Sequence, residues 1–162
     1  MLYKTNQSVL IDSDEVIIFD PVLKEEKCII KNMSIGSWSL FKTFKEEKEN
    51  LIESLVFSNN ESNKDLNLKL FKFVSIILID SKKFILCDKS FFNEDKNKDK
   101  KNLFVKYYEE AFENKAKSKL SKHIDIADKH TITAFTNETT QSISIEVFKS
   151  DKKIDAIKVN LN

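Results

Sequence analysis

The sequence predicts an α+β, β-rich fold: antiparallel, sandwich-like sheets with one long helix at about 102–121, placed before a C-terminal three-strand meander. Three observations carry this reading. Short runs alternating between apolar and polar residues, separated by polar clusters, fill most of the chain, as half-buried strands do. One stretch alone, NLFVKYYEEAFENKAKSKL, shifts to spacings of three and four. A twelve-residue pattern, VLIDSDEVIIFD at Val9–Asp20, returns as ILIDSKKFILCD at Ile77–Asp88, with Leu10/Leu78, Ile11/Ile79, Asp12/Asp80, Ser13/Ser81, Ile17/Ile85 and Asp20/Asp88 identical.

Taken in order, VLI and VIIF around the polar turn DSDE read as a hairpin, closed by Asp20-Pro21 because proline cannot donate to a ladder. CII at 28–30 and WSLFKTF at 38–44 read as strands. LIESLVF at 51–57 fits strand or helix, and its neighbours favour strand. LNLKLFKF places Leu66, Leu68 and Leu70 on one face and runs through Val74 into the second copy, ILID and FILC. After the charged loop NEDKNKDKK, the spacing of Phe104, Tyr107, Tyr108, Ala111, Phe112 and Leu120 predicts an amphipathic helix with Asn102 as N-cap and lysines near its end. Its aromatic stripe reads as packing. HTITAFT, SISIEVF and IDAIKVNL, joined by NETT and SDKK turns, complete the expected meander.

The length, 162 residues, suits one domain, 1–162, able to bury a core without staples. Gly36 and Pro21 are the sole residues of their kinds, so the remaining turns fall to Asn, Asp, Ser, Lys or Glu. All 27 basic residues are lysine; no guanidinium fork is present for bidentate grip on phosphate or guanine. The net charge is +1, and residues 1–60 carry seven lysines against ten carboxylates. This mild polarity without a basic stripe argues against nucleic-acid binding. With one glycine, a phosphate loop, a dinucleotide fingerprint and a GxSxG elbow are all excluded. Cys28 and Cys87 sit in apolar runs, the setting of buried reduced thiols, although a disulfide between them stays open. The opening residues lack the apolar core of a signal peptide and no apolar run reaches membrane-spanning length, so the expectation is cytoplasmic residence without membrane contact.

Two constellations could carry chemistry. HIDIADKH presents His123, Asp125, Asp128 and His130, two imidazoles and two carboxylates suited to a divalent metal, or else a polar connection with exposed histidines. The duplicated pattern presents Asp12 and Asp80 at the turns and Asp20 and Asp88 at the strand ends. If the copies meet, paired carboxylates could do general acid–base work; the structural alternative is that each caps a turn. Neither the composition nor the spacing demands a cofactor.

In the order of its motifs the chain resembles an uncharacterised bacterial β-rich domain family, a domain of unknown function met among other places in loci of secreted toxins and immunity proteins. The resemblance is carried by LIDSDEVIIFDP, a first strand pair ending in Asp-Pro; LIDSKKFILCD, a later VDxG-type hairpin; YYEEAFE, a helix rich in Tyr and acids; and ITAFT, SISIEVF and IDAIKVNL at the end. It departs at Asp14, Lys82 and NETTQ, where that family has glycine turns. The resemblance implies a fold and a neighbourhood. Together with the lack of an assembled catalytic motif and the acidic N-terminal third of a compact β-rich scaffold, it leads to the expectation of a small cytosolic immunity protein that neutralises a cognate toxin by direct binding, as a monomer or weak dimer. An acidic N-terminal face of Asp12, Asp14, Glu15, Glu25 and Glu26 would suit a basic nuclease domain as partner. Two alternatives stand beside it: a metal-dependent hydrolase built on HIDIADKH or the duplicated Asp residues, and a structural module that self-associates through a sheet edge.

Overall fold

Alternating side chains bury one face of a strand, and two such faces bury each other. A computed structural model describes residues 1–20, 23, 27–46, 48–62, 70–92 and 129–162. They form ten strands: β1 (Tyr3–Ile11), β2 (Glu15–Phe19), β3 (Lys27–Lys31), β4 (Gly36–Lys45), β5 (Lys48–Asn59), β6 (Lys72–Leu78), β7 (Lys83–Asp88), β8 (Thr131–Phe135), β9 (Ser142–Ser150) and β10 (Lys153–Leu161). A short 3-10 turn, Lys89–Phe92, follows β7. Two antiparallel sheets result, one of six strands in the order β1-β4-β5-β10-β9-β6 and one of four in the order β3-β2-β7-β8.

The α+β class is therefore corrected. Among the described residues there is no α-helix, and the segment 102–121 on which the long helix was expected lies outside them. The C-terminal meander is corrected as well. Only β9 and β10 form its hairpin, through Asp151; β8 pairs with β7 in the other sheet. NETT is a crossing between sheets, held by Thr140 N–H donating to the Asn137 carbonyl and by Asn137 bonding the backbone of Ile52 through both side-chain atoms.

The DSDE and DSKK turns are crossings too. Strand β1 pairs with β4 in the six-stranded sheet, while β2 pairs with β3 and β7 in the four-stranded one. The second copy behaves identically, β6 joining β9 and β7 joining β8. Val9, Ile11, Val16 and Ile18 thus enter one core from opposite sides, with Ile77, Phe84 and Leu86 from the second copy. Trp38, Leu40, Phe57, Ile145 and Val159 fill the rest, and Phe57 meets Phe84 edge-on across the sheets.

The repetition extends well beyond the twelve residues visible in the sequence. Strands β1–β5 correspond in order to β6–β10, and every pairing in the first half recurs in the second: β1-β4 as β6-β9, β2-β3 as β7-β8, β4-β5 as β9-β10. The two remaining pairings, β2-β7 and β5-β10, join the halves about a pseudo-twofold axis. Ile18 faces its own counterpart Leu86, and Val56 faces Lys158. Irregularities recur as well. Register is lost at Glu53 in β5 and at the corresponding Asp155 in β10, and in β1 and β6 between Lys4 and Ser8 and between Phe73 and Ser75. Bulges are built-in features of a strand; their coincidence marks a duplication of five strands.

Turn chemistry follows from the scarcity of glycine. Asn32, Lys82 and Asp151 take positive φ, the work glycine does elsewhere, with Gly36 at φ 132 opening β4.

Candidate functional site

The polar residues of the repeated pattern gather where the chain crosses between sheets. In each crossing a serine hydroxyl lies against the carbonyl two residues ahead: Ser81 Oγ donates to Lys83 at 3.1 Å, and Ser13 Oγ sits 3.0 Å from that of Glu15, its one proton shared with the shorter contact to Asp88. The carboxylate that closes one copy caps the crossing of the other. Asp20 Oδ2 accepts the backbone N–H groups of Asp80 at 2.6 Å and Ser81 at 2.9 Å. Asp88 accepts Ser13 N–H at 3.1 Å and Ser13 Oγ–H at 2.6 Å on Oδ1, and Ser90 Oγ–H on Oδ2. Both carboxylates are fully buried. Buried backbone donors need acceptors, and an ionised carboxylate makes the strong kind of bond. The four repeated Asp residues therefore meet in two pairs across the copies, Asp12 beside Asp88 and Asp80 on Asp20, and Asp20 and Asp88 hold the two halves together.

One crossing carries an addition. His130, buried at the start of β8, lies with Nε2 2.5 Å from Asp12 Oδ2. The His130 carbonyl accepts Asp88 N–H at 2.9 Å, and the Lys129 carbonyl accepts Leu10 N–H at 2.7 Å. Ligand atoms of Asp12, Asp88 and His130 fall within 4.8 Å of one another. Two carboxylates and an imidazole suit a divalent cation of the zinc or manganese kind. Yet Asp88 spends its oxygens on Ser13 and Ser90, as Asp20 spends Oδ2 on Asp80 and Ser81. A metal there would share Asp88 with those donors, through the remaining acceptor capacity of Oδ2. What exceeds the shared framework is the Asp12–His130 pair.

An Asp-oriented imidazole could serve as a general base beside a nucleophile. The nearby hydroxyls are committed, Ser13 to Glu15 and Asp88, and Ser90 to Asp88. Among the described residues, then, a carboxylate, an imidazole and an engaged serine are present without an assembled relay.

Of the expected metal residues, His123, Asp125 and Asp128 lie outside the described residues, and His130 turns to Asp12. Of the acidic face, Glu25 and Glu26 also lie outside them. Asp12 and Asp14 are exposed at the first crossing, and Glu15 pairs with Lys89 at 2.8 Å. The hydrogen bond from the Lys89 ammonium, aided by its charge and that of Lys31, holds the Glu15 carboxyl below its usual range, and Lys89 is raised in turn. Sequence reasoning missed the reciprocal capping, because the partners lie 60 or more positions apart. The signal that pointed to it was the identity of the Asp closing each copy.

Cys28 and Cys87 are free and buried, and burial raises both thiols; the negative charge of Asp88 adds to the effect at Cys87. No described helix is long and apolar enough to cross a membrane. No protein-family model, curated protein or solved structure matches this chain.

Proposed function

We propose that this is a protein-binding protein, and specifically an immunity protein that covers the surface of a cognate toxin. The observation that favours binding over catalysis is the commitment of the buried carboxylates Asp20 and Asp88 to capping, which takes the strongest acid–base candidates out of chemistry. The toxin partner itself rests on the resemblance to domains found in toxin and immunity loci. On this reading the exposed Asp12 and Asp14 tip, carried on a crossing braced from both halves, faces a basic patch such as that of a nuclease domain. A rigid tip holds charges in place at little further cost of ordering, and complementary potential speeds encounter.

Co-expression with the toxin encoded beside the gene tests this. Growth should be restored, and Asp14→Lys should slow association about tenfold while leaving folding unchanged, since rim charges act mainly on the on-rate. Killing that continues despite a folded, abundant protein refutes the toxin reading.

A metal-dependent hydrolase is the second reading, favoured by the three ligand atoms of Asp12, Asp88 and His130. Stoichiometric zinc or manganese in protein prepared without chelator, lost in His130→Ala, would replace the first reading with this one.

A further inference from the structure

We propose that the edge strand β6 is a self-association surface, on which a second copy of this chain adds its own β6 antiparallel to extend the six-stranded sheet. This goes beyond toxin binding, which was placed at the opposite kind of surface, an acidic crossing.

Duplication supplies an internal control. Strands β1 and β6 occupy equivalent outer positions, each at one end of the six-stranded sheet. The exposed residues of β1 are Tyr3 at its start and then Lys4, Asn6, Gln7 and Ser8, a polar stretch of the kind that keeps sheet edges from pairing. Their counterparts in β6 begin with Lys72 and continue with Val74, Ser75 and Ile76. Phe73 is 63% exposed, Val74 40%, Ile76 56% and Leu78 54%, with Leu70 at 59% just before the strand. Neither 73–79 nor its counterpart 5–11 carries a charge; what differs is Thr5, Asn6 and Ser8 against Phe73, Val74 and Ile76. At these three positions one half is polar and the other apolar, while Leu10 and Leu78 are the same residue, and framework requirements common to both halves cannot explain the difference.

The backbone points the same way. Ile79 N–H bonds the Gln141 carbonyl, so by the alternation of an antiparallel ladder Ile77 is also directed toward β9, whereas Ile76 and Leu78 turn their amide groups to the open edge. On the face where Ile76 and Leu78 project, the adjacent strand offers Ser142 and Ser144, which rim the apolar row without covering it.

Self-complementarity selects the occupant. A twofold axis through Ile76 sets Ile76 against Ile76, an edge-directed residue in both chains, and places Val74, at the bulge, opposite Leu78. It also brings Lys72 toward the Asp80 turn of the other copy, opposite charges at both ends. An axis one residue earlier would set Lys72 against Leu78 and lose both matches. The exposed apolar side chains amount to roughly 450 Å² per copy, within the range of the largest patches on monomers and often functional.

Sedimentation of the full chain across a dilution series should show a concentration-dependent dimer. Ile76→Lys, on an exposed side chain, should weaken it at least tenfold with unchanged thermal unfolding, and Ser8→Lys at the counterpart position on β1 should not. In a separate variant, Ile76→Cys should form an intermolecular disulfide under mild oxidation and Leu78→Cys should not, because only position 76 meets itself. A monomer at every concentration, or a dimer unaffected by Ile76→Lys combined with Leu78→Lys, overturns the proposal. Cross-linking at Leu78→Cys in preference to Ile76→Cys overturns the register.

Discussion

Replacing Asp20 or Asp88 separates a structural carboxylate from one held for chemistry. In Asp20→Ala two backbone amides, Asp80 N–H and Ser81 N–H, lose their acceptor, and Lys83 loses a nearby negative charge. A buried amide left without an acceptor costs about 1–3 kcal/mol, so a loss of about 3–5 kcal/mol is expected. That is a large share of the roughly 5–15 kcal/mol available to a domain. In Asp88→Ala the single backbone donor lost is Ser13 N–H, while the Ser13 and Ser90 hydroxyls can rotate to other acceptors or water. About 2–3 kcal/mol is expected there. Asp20→Asn should be the mildest, about 1–2 kcal/mol, because both bonds reach a single oxygen and an amide oxygen can keep them in weaker, neutral form. Urea unfolding followed by Trp38 fluorescence reads all three; at a slope near 2 kcal/mol/M, Asp20→Ala should move the midpoint down by about 2 M. Residues kept for function commonly cost stability, so their removal is neutral or stabilising. A stabilising Asp88→Ala would refute the capping argument and return the carboxylate to the candidate metal centre.

Three further outcomes follow from the same geometry. Burial lowers the Lys83 ammonium against the opposing charge of Asp20, so the unfolded chain holds that proton more tightly and stability rises with pH toward the usual lysine range. Lys83→Met should therefore be more stable than the parent near pH 7, with the advantage shrinking as pH approaches about 10.4, measured by urea midpoints across that range. Cys28 and Cys87, buried and raised, should resist a thiol reagent at pH 8 in the folded protein and both react once it is unfolded in urea; rapid labelling of the native state would contradict the packing. Lys82 holds φ 59. Lys82→Gly should remove a left-handed strain of about 1–2 kcal/mol against a smaller entropic loss, raising stability by a few tenths to about 1 kcal/mol in thermal unfolding. Destabilisation would mean that the side chain contributes more than its backbone costs.

The strands were legible in the sequence where alternation was strong, from the VLI and VIIF runs to SISIEVF and IDAIKVNL, and LIESLVF resolves as part of β5. What alternation could not give was the partner of each strand. A tight hairpin and a crossing between sheets both read as strand, polar turn, strand. The difference lies in pairings such as Val9 with Trp38 and Ile17 with Cys87, contacts between distant residues that no local window contains. For the same reason DSDE, DSKK and NETT read as hairpin turns, whereas SDKK, which does close a hairpin, looks no different. The candidate site was half legible. HIDIADKH singled out His130 and the repeat singled out Asp12 and Asp88, but their meeting depends on the crossing that the hairpin reading had removed.

The duplication turns that failure into a means of finding function. Features present in both halves, the serine turn, the closing Asp and the acidic bulge at Glu53 and Asp155, answer to a framework that each half must satisfy. Features present in one half alone are free of that requirement. Asp14 against Lys82 gives the crossings opposite charge, His130 reaches one crossing, and the polar β1 stands opposite the apolar β6. Exposed apolar residues on an open sheet edge invite aggregation, and a duplicated chain already had a polar solution for that edge in its first half. Keeping Phe73, Val74 and Ile76 exposed where Thr5, Asn6 and Ser8 serve in the other half is costly unless something covers them. Substituting the polar residues of β1 into the equivalent positions of β6 should therefore leave the fold intact and abolish association, which separates the needs of the framework from those of the surface.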